Sequence, residues 1–294
     1  MQKVIRYRFG GYLGNRMFEA MLAHSIAERI PGLVVTGDAL PEWGLAPPPI
    51  ALPARHVKLG GHRVDIAHLS YLLREDIIDG IESMALGFRM ELLPPRATAE
   101  RLFPQRPDLG MAFGAETLVI SIRAAEILGP RHPSYRPLPI AFYARLVETT
   151  GLAPAFVGQI GDDAYSAALR ARFPHAVFLP SQGAMADFAT LRRARHLCVS
   201  ISSFAWLAAW LSEAETVHLP VAGMYHPQHR KEIDLLPVAD PRYRFHLFRP
   251  DPWGGTEAEL QAAIAGPDPG RALPREEALR LAHGMVVTEA EKPG

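Results

Sequence analysis

The first residues with the chemistry to bind a ligand lie close to the start of the chain, in residues 9–18 (FGGYLGNRMF). They include three glycines, Arg16 and the only asparagine of the sequence, Asn15. A glycine loop between a strand and a helix presents backbone N–H groups at the positive end of that helix, where a phosphate or another anion is favoured. The alternative is a tight turn whose glycines supply positive φ angles, with Asn15 capping a helix that starts at Met17.

This segment differs from two common phosphate-binding motifs. Tyr12 lies where the dinucleotide fingerprint G-x-G-x-x-G needs its second glycine, and the Lys-Ser/Thr pair of a P-loop is missing from the sequence that follows. A plain Rossmann dehydrogenase and a P-loop enzyme are therefore not favoured.

A second group of candidate phosphate ligands lies in the second half of the chain. Arg123 follows the apolar sequence TLVISI, which is typical of a strand buried in a parallel sheet. A guanidinium at that place can bind a diphosphate through two N–H groups. Ser202 and Ser203 precede an apolar helix that starts near Phe204, so their hydroxyls and the N–H groups of that helix can bind the same phosphates. The structural alternatives are an ion pair between Arg123 and Glu126, and a serine N-cap.

Other polar groups do not favour a metal site. Asp162 and Asp163 can together hold a divalent ion, but such a pair at a helix start is more often a cap. The twelve histidines show no ligand spacing such as H-E-x-x-H. The single cysteine, Cys198, lies in an apolar run that predicts a buried and inert thiol, and one cysteine excludes an internal disulfide.

Composition limits the class of partner. The 294 residues carry 31 basic and 31 acidic side chains, so no global field attracts nucleic acid or anionic lipid, and any phosphate must be held by local charge. No window approaches the roughly 18 apolar residues of a membrane span, and the N-terminus has no apolar signal core. We therefore expect a cytoplasmic protein.

The elements that must position these residues follow an α/β pattern. In the first half, periodicity predicts strands at 4–9 and 33–36, a strand or hairpin within 56–66, and helices at 17–30 and 68–84. In the second half it predicts strands at 117–122, 154–158, 176–179, 196–200 and 216–219, and helices at 139–149, 163–173, 184–193 and 204–211. This alternation predicts right-handed crossovers and a parallel sheet, with ligands outside the carboxyl ends of the strands.

Composition also suggests the domain boundaries. A proline- and arginine-rich stretch at 94–107 fits an interdomain connection. Beyond residue 254 the chain becomes rich in Ala, Pro and Glu, with short helices predicted at 257–265 and 276–283. The predicted domains are an N-terminal α/β domain at 1–110, a C-terminal Rossmann-like domain at 111–254, and C-terminal helices and tail at 255–294.

Three segments resemble one family in order and approximate spacing. Residues 10–18 (GGYLGNRMF) resemble the G-G-L-G-N-Q-M-F opening of family 11 glycosyltransferases, the α-1,2-fucosyltransferases, with Tyr12 inserted and Arg16 in place of glutamine. Residues 121–126 (SIRAAE) resemble the H-x-R-R-x-D segment. Asp187 with Phe188, and then residues 202–211 (SSFAWLAAWL), resemble the D-x-x-x-M stretch and the sequence S-N-S-S-F-S-W-W-A-A-W-L. The resemblance spans roughly residues 9–211.

The resemblance implies a GT-B architecture, in which two Rossmann-like domains face each other across a cleft and the C-terminal one holds most of the nucleotide sugar. The implied function is an inverting, metal-independent fucosyltransferase-like transfer, with GDP-fucose as default donor substrate and no cofactor. Its partners would be the nucleotide sugar and a glycan acceptor, without nucleic acid, in surface polysaccharide biosynthesis. A peripheral membrane association through the acceptor is left open, as is the oligomeric state.

The resemblance also implies roles for individual residues. The implied catalytic residues are Arg123, Asn15 and Glu126. The implied donor-binding residues are Gly11, Gly14, Arg16, Asp187, Ser202, Ser203 and Phe204. An inverting transfer also needs a general base, for which Glu19, Asp38 and Glu126 are all candidates.

Two departures leave alternatives open. Ser121 replaces the histidine of the family segment and Ala124 replaces its second arginine, so two polar contacts of the donor site are missing. Arg16 and Arg131 are candidates for the missing cation. The alternatives are a transferase for another nucleotide sugar and a catalytically inactive nucleotide-binding relative.

Overall fold

A computed structural model describes residues 2–284. The chain divides into two compact units, Met1–Pro107 and Asp108–Gly294. The predicted tail lies in part outside the described residues, from residue 285 onward.

The first unit is a mixed α/β fold with a parallel sheet. In its described part, four parallel strands follow the order β2-β1-β4-β3. The strands are β1 (Lys3–Tyr7), β2 (Leu33–Gly37), β3 (His56–Leu59) and β4 (Gly80–Ser83). The helices are α1 (Leu13–Arg29), α2 (Ile66–Arg74) and α3 (Arg96–Leu102).

Helix α1 begins four residues earlier than the sequence indicated. Gly11, at φ +75°, turns the chain after β1, so that Tyr12 becomes the N-cap and its carbonyl accepts the N–H groups of Asn15 and Arg16. The alternative in which Asn15 caps a helix from Met17 is therefore wrong. Gly14, Asn15 and Arg16 lie in the first turn of α1, not in the preceding loop.

The middle of the first unit also differs from the prediction. β3 pairs in parallel with β4, so the hairpin alternative for residues 56–66 is wrong. The helix predicted to continue to residue 84 ends at Arg74, because Asp76 takes a left-handed conformation at φ 52°. Strand β4, which the sequence did not predict, lies inside the sheet between β1 and β3. It begins with Gly80, where a Cβ would meet Pro53 at 2.9 Å. A glycine has no side chain that could indicate a strand in the sequence.

The second unit contains a seven-stranded sheet with the order β11-β10-β9-β8-β5-β6-β7. Its strands are β5 (Thr117–Ile122), β6 (Ala153–Gly158), β7 (Val177–Pro180), β8 (His196–Cys198), β9 (Thr216–Val221), β10 (Tyr243–Leu247) and β11 (Arg271–Leu273). Its helices are α4 (Ile140–Thr150), α5 (Ala164–Arg172), α6 (Ala184–Arg192), α7 (Ser203–Trp210), α8 (Glu257–Ala265) and α9 (Arg275–Ala282). All neighbouring strands are parallel except β10 and β11.

The strand order of this sheet is that of a Rossmann fold. From β5 the chain proceeds outward through β6 and β7, and from β8 it proceeds in the opposite direction through β9 and β10. β5 and β8 are therefore neighbours at the point where the winding reverses. In such sheets, ligands bind in the crevice outside the carboxyl ends of those two strands.

The alternation predicted for residues 117–219 is confirmed, with element ends shifted by at most two residues. Cys198 at the end of β8 is fully buried, and burial raises the pKa of its thiol. Strands β10 and β11 were not predicted. β11 joins residues of the predicted C-terminal segment to the sheet through its antiparallel pairing with β10. Among the helices of residues 2–284, none has the length and apolar character needed to cross a bilayer.

Candidate functional site

The carboxyl ends of β5 and β8 are joined by a pair of serines. Ser121 Oγ and Ser200 Oγ lie 3.0 Å apart, and both residues are buried. Ser121 occupies the position of the histidine in the family segment that the sequence resembles. Its hydroxyl forms a hydrogen bond with Ser200, which follows the neighbouring strand β8.

The Arg123 side chain reaches from the end of β5 to the backbone that follows β8. Its Nη1 donates to the carbonyl oxygen of Ile201 at 3.1 Å, just before α7. Its Nη2 lies 3.2 Å from Glu126 Oε1, and its guanidinium carbon lies 4.4 Å from the centre of the Tyr135 ring. The ion pair offered as the structural alternative is therefore present. A guanidinium has five N–H groups, and those not used in these two contacts have no acceptor among the described residues.

Glu126 is held by a second partner. Gln159, which follows β6, donates from Nε2 to Glu126 Oε2 at 3.1 Å and accepts the N–H of Ala124 at Oε1. Between them Ala125 has a φ of 49°, a left-handed conformation that costs a residue with a side chain about 1–2 kcal/mol. Glu126 and Arg123 are thus fixed on a strained turn directly after β5.

Ser202 is the N-cap of α7, as predicted, but its side chain makes no capping hydrogen bond. The backbone there is held by Tyr225, whose hydroxyl accepts the N–H of Ser202 at 2.9 Å and lies 2.7 Å from the Ser202 carbonyl oxygen. Burial raises the pKa of the Tyr225 hydroxyl, which stays neutral. The Ser202 hydroxyl therefore forms no hydrogen bond with the N–H groups of α7. Ser203 and Phe204 lie in the first turn of that helix.

Asp187 contacts the loop before α6 and has no hydrogen bond to Arg123 or Ser202. It is 8% exposed, and its two oxygens accept from the Ser181 hydroxyl and from the N–H of Gln182 in the loop before α6. Asp187 therefore does not lie on the solvent-exposed face of α6. Phe188, next in sequence, packs edge-on against Phe204 with ring centres 5.2 Å apart, which links α6 to the first turn of α7.

The predicted residues of the first unit lie around the end of β1. A Cβ on Gly11 would meet Asn15 Nδ2 at 2.8 Å, so the amide of Asn15 lies over the exposed glycine turn. Gly14 is buried in α1. Arg16 is a paired cation, because its Nη2 lies 2.5 Å from Glu42 Oε1. Burial acts to raise the pKa of the Glu42 carboxyl, but a backbone hydrogen bond and the Arg16 guanidinium together lower it.

Two carboxyl groups hold the loop at the same strand end. Glu19 Oε1 and Oε2 accept the N–H of Gly10 at 3.2 and 3.0 Å, and Asp38 Oδ2 accepts the N–H of Phe9 at 2.8 Å. Glu19 is only 2% exposed, whereas Asp38 is exposed. Burial and the neighbouring charge of Asp38 raise the pKa of Glu19 to about 7, although the N–H of Gly10 and the Arg16 guanidinium oppose the shift.

Asp163 acts as a helix cap and not as a metal ligand with Asp162 in the described residues. Asp163 accepts the N–H of Ser166 at 2.8 Å at the start of α5, which confirms the cap interpretation. Within residues 2–284, no group of three or more His, Cys, Asp or Glu side chains is arranged to hold a metal ion.

No protein-family model matches the chain, and no curated protein matches it either. The solved structures that match it include an Arabidopsis thaliana FUT1 variant in complex with GDP, at 11% identity and a TM-score of 0.47, over 85% of this chain and 72% of that chain. A glycosyl transferase family 9 structure from Veillonella parvula matches at 12% identity and a TM-score of 0.45, over 96% and 97% of the two chains. The iron-containing dodecameric glycosyltransferase TibC from enterotoxigenic E. coli matches at 10% identity and a TM-score of 0.37, over 74% and 58%. Likenesses this remote assign neither a family nor an activity to this chain.

Sequence reasoning missed three residues that shape the site. Gln159 had a usable signal, since a polar residue directly after a buried strand lies at the sheet edge where ligands bind. Tyr225 and Glu42 had none, because each meets its partner across more than 20 residues of sequence, with separations of 23 and 26.

Proposed function

We propose that this protein is a glycosyltransferase that moves a sugar from a nucleoside diphosphate sugar to a hydroxyl of a glycan. The default donor is GDP-fucose, as the resemblance to α-1,2-fucosyltransferases implies. The transfer is inverting, needs no metal ion and acts in the cytoplasm on a surface polysaccharide under construction. The proposed architecture is GT-B, with one Rossmann-like domain in each unit.

One observation supports the proposal above all others. Arg123 and the start of α7 meet at the reversal point of the second sheet, through the 3.1 Å contact between Nη1 and the carbonyl oxygen of Ile201. A diphosphate at this place would face a guanidinium and the positive end of α7 together. The Ser202 hydroxyl, which does not cap its helix, would supply a further donor.

The chemistry of transfer explains why such donors suffice. As the acceptor oxygen attacks the anomeric carbon, the bond to the diphosphate breaks and its electron pair leaves with the phosphate oxygen. Fixed donors that meet this growing negative charge lower the barrier. Glu126 is paired with Arg123 and would compete with a diphosphate for it, so nucleotide binding is expected to weaken that ion pair.

The proposal is tested by nucleotide binding. Thermal shifts with GDP, UDP, ADP and CMP measure binding, because a ligand that binds the native state alone raises its stability. We expect GDP to give the largest shift and Arg123→Ala to abolish it. The matched control is Arg195→Ala, which removes an arginine paired with Glu215 on the surface of the same unit. Equal shifts in the two variants would contradict the role of Arg123.

Turnover is tested with a panel of sugar nucleotides, with and without EDTA. Transfer that survives chelation is expected, since the proposed charge stabilisation comes from Arg123 and α7. Complete loss of transfer on chelation would contradict it.

A catalytically inactive nucleotide-binding protein is the second candidate. It is favoured by the Ser121–Ser200 hydrogen bond and by Ala124, which stand where the family segment offers a histidine and an arginine. Nucleotide binding without transfer or hydrolysis of any donor would support this candidate, and transfer would exclude it.

A further inference from the structure

One buried tyrosine holds the backbone between β8 and α7. The hydroxyl of Tyr225 accepts the N–H of Ser202 at 2.9 Å and donates to the Ser202 carbonyl oxygen at 2.7 Å. It also lies 3.2 Å from the carbonyl oxygen of Ser200. Tyr225 is 2% exposed, so a ligand cannot touch it and any effect on a binding site must pass through its neighbours. Its hydroxyl fixes the backbone on both sides of Ile201.

Ile201 connects this hydroxyl to Arg123. The Ile201 carbonyl oxygen accepts a hydrogen bond from Arg123 Nη1 at 3.1 Å, while the carbonyl oxygens of its two neighbours lie at the Tyr225 hydroxyl. A rotation of either neighbouring peptide would turn the Ile201 carbonyl away from the guanidinium, because planar peptide units are joined at shared Cα atoms. The orientation of Arg123 thus depends on a hydroxyl to which it has no hydrogen bond.

The same hydroxyl also sets the first turn of α7. Ser202 is the N-cap, and a serine there normally accepts the N–H of the second or third helical residue, here Phe204 or Ala205. Its side chain makes no such bond, and neither N–H has an acceptor among residues 2–284. The helix start is therefore held through the backbone of Ser202, and these N–H groups are left for an anion.

The turn that carries Tyr225 approaches the second segment that holds Arg123. It follows β9 and begins with Gly223, at φ +52°. A Cβ on Gly223 would lie 2.2 Å from the Ser134 carbonyl oxygen, so only glycine allows this approach. The residue after Ser134 is Tyr135, whose ring centre lies 4.4 Å from the guanidinium carbon of Arg123. The turn after β9 is thus packed against the segment whose aromatic ring supports Arg123.

We propose that Tyr225 is a positioning residue for nucleotide binding. Its hydroxyl fixes the Ile201 carbonyl, and with it the direction in which Arg123 presents its remaining N–H groups, and it fixes the first turn of α7. This inference rests on the proposed nucleotide site and lies wholly within the second unit. Donors that are already in place lose less conformational freedom on binding, so the hydroxyl raises the affinity for a diphosphate.

Affinity for GDP tests the assignment. Tyr225→Phe removes the hydroxyl and keeps the ring, so the GDP dissociation constant, measured by titration calorimetry on the full chain, should rise about tenfold. The matched control is Tyr165→Phe, which removes another buried hydroxyl of the same unit, one that donates to the Leu138 carbonyl oxygen. The control should lose stability but bind GDP as the wild type does.

Two outcomes of this titration would contradict the assignment. Equal dissociation constants in the wild type and in Tyr225→Phe would overturn the inference and leave the proposed function standing. An equal rise in Tyr225→Phe and Tyr165→Phe would show that any buried hydroxyl has this effect, and would overturn it as well.

A measurement without nucleotide separates the two proposals. Nitrogen NMR of labelled arginine reports the rotation of the guanidinium NH₂ groups, which the hydrogen bond to Ile201 slows. The Arg123 signal, assigned by its loss in Arg123→Lys, should show slow rotation in the wild type, faster rotation in Tyr225→Phe and no change in Tyr165→Phe.

Rapid rotation in the wild type, or equal rates in the wild type and Tyr225→Phe, would overturn the positioning role whether or not a nucleotide binds. A wild type that shows the expected rates but binds no nucleotide would overturn the proposed function and leave the link from Tyr225 to Arg123 standing.

Discussion

Arg123 shows how one residue can have a structural and a functional interpretation at once. Its guanidinium is paired with Glu126, packed on Tyr135 and bonded to the backbone before α7. The same contacts that stabilise it also aim its remaining N–H groups from a fixed position. Preorganised donors of this kind are what charge stabilisation in a transfer reaction requires.

Glu19 should make stability depend on pH. Its pKa is about 7 in the folded protein against 4.5 in the unfolded chain, so the stability it contributes is fully present below pH 4.5 and is lost as the pH rises through 7. The loss corresponds to about 3 kcal/mol. We expect Glu19→Gln to remove this dependence in urea unfolding measured across that range. Glu100→Gln, at a half-buried position of α3 where Glu100 pairs with Arg96, is the control and should keep it.

At the scale of elements, the ends of β5 and β6 depend on one glycine. Gly158 ends β6 at φ +118°, and a Cβ there would lie 2.6 Å from the Ile122 carbonyl oxygen. Gln159, which holds Glu126, follows immediately. The close approach of β5 and β6 at Gly158 therefore also fixes the position of Gln159 and, through it, of Glu126.

Gly158→Ala should lower the free energy of unfolding by about 1–3 kcal/mol, because the substituted residue is strained and must move the strand end. It should also weaken nucleotide binding through Gln159. Gly114→Ala, where a Cβ meets nothing within 4 Å, should change neither quantity. Urea unfolding and the GDP thermal shift measure the two effects. A variant as stable as wild type would argue against the close approach.

The neighbouring strands β9 and β10 carry a buried histidine pair. His218 Nδ1 and His246 Nε2 lie 3.0 Å apart, both residues are 6% exposed, and burial lowers the pKa of each. In the unfolded chain both would take up protons below their ordinary pKa of 6.5. Stability should therefore fall as the pH drops below 6.5, by up to about 2.7 kcal/mol per pH unit.

Replacing both histidines by leucine should reduce this acid sensitivity, because the two groups that take up protons in the unfolded chain are then gone. Leucine also leaves no buried polar atom unpaired at these positions. His175→Gln, at an exposed position of the same unit, should retain it. Urea midpoints measured at several pH values below 6.5 give the comparison. Identical slopes in the double variant and in the wild type would show that the pair does not control acid stability.

At the scale of the whole molecule, the candidate donor residues Arg123 and Ser202 lie in the second unit, Asp108–Gly294. Trp43 is the only tryptophan of the first unit, and the other three belong to the second. Trp43→Phe therefore makes tryptophan fluorescence report on the second unit alone.

We expect GDP to shift the unfolding transition seen in Trp43→Phe to higher urea concentration. At a hundredfold excess over the dissociation constant the gain is about 2.7 kcal/mol. The matched variant with Trp206, Trp210 and Trp253 replaced by phenylalanine reports on Trp43 and should show a smaller shift. A GDP shift confined to the Trp43 signal would contradict a nucleotide site in the second unit.

The sequence by itself determined the local elements of the second unit and the residue types at their ends. Strand β5 followed by Arg123, and helix α7 preceded by Ser202, are readable because apolar runs and helix caps are local patterns. The predicted α/β class of both halves rests on the same periodicity. Strand β4 was not predicted, because four residues that begin with a glycine are too few to show a clear alternation of apolar and polar side chains.

Only the tertiary structure decided which of these residues meet. Arg123 and Ile201 are 78 positions apart, and their contact depends on β8 lying beside β5, which no local pattern specifies. The burial of Glu19 and its coupling to Asp38 likewise arise from how α1 and β2 close on the end of β1. Periodicity records which face of an element is buried, whereas strand order and the approach of distant chain segments are set by the packing of the whole sheet.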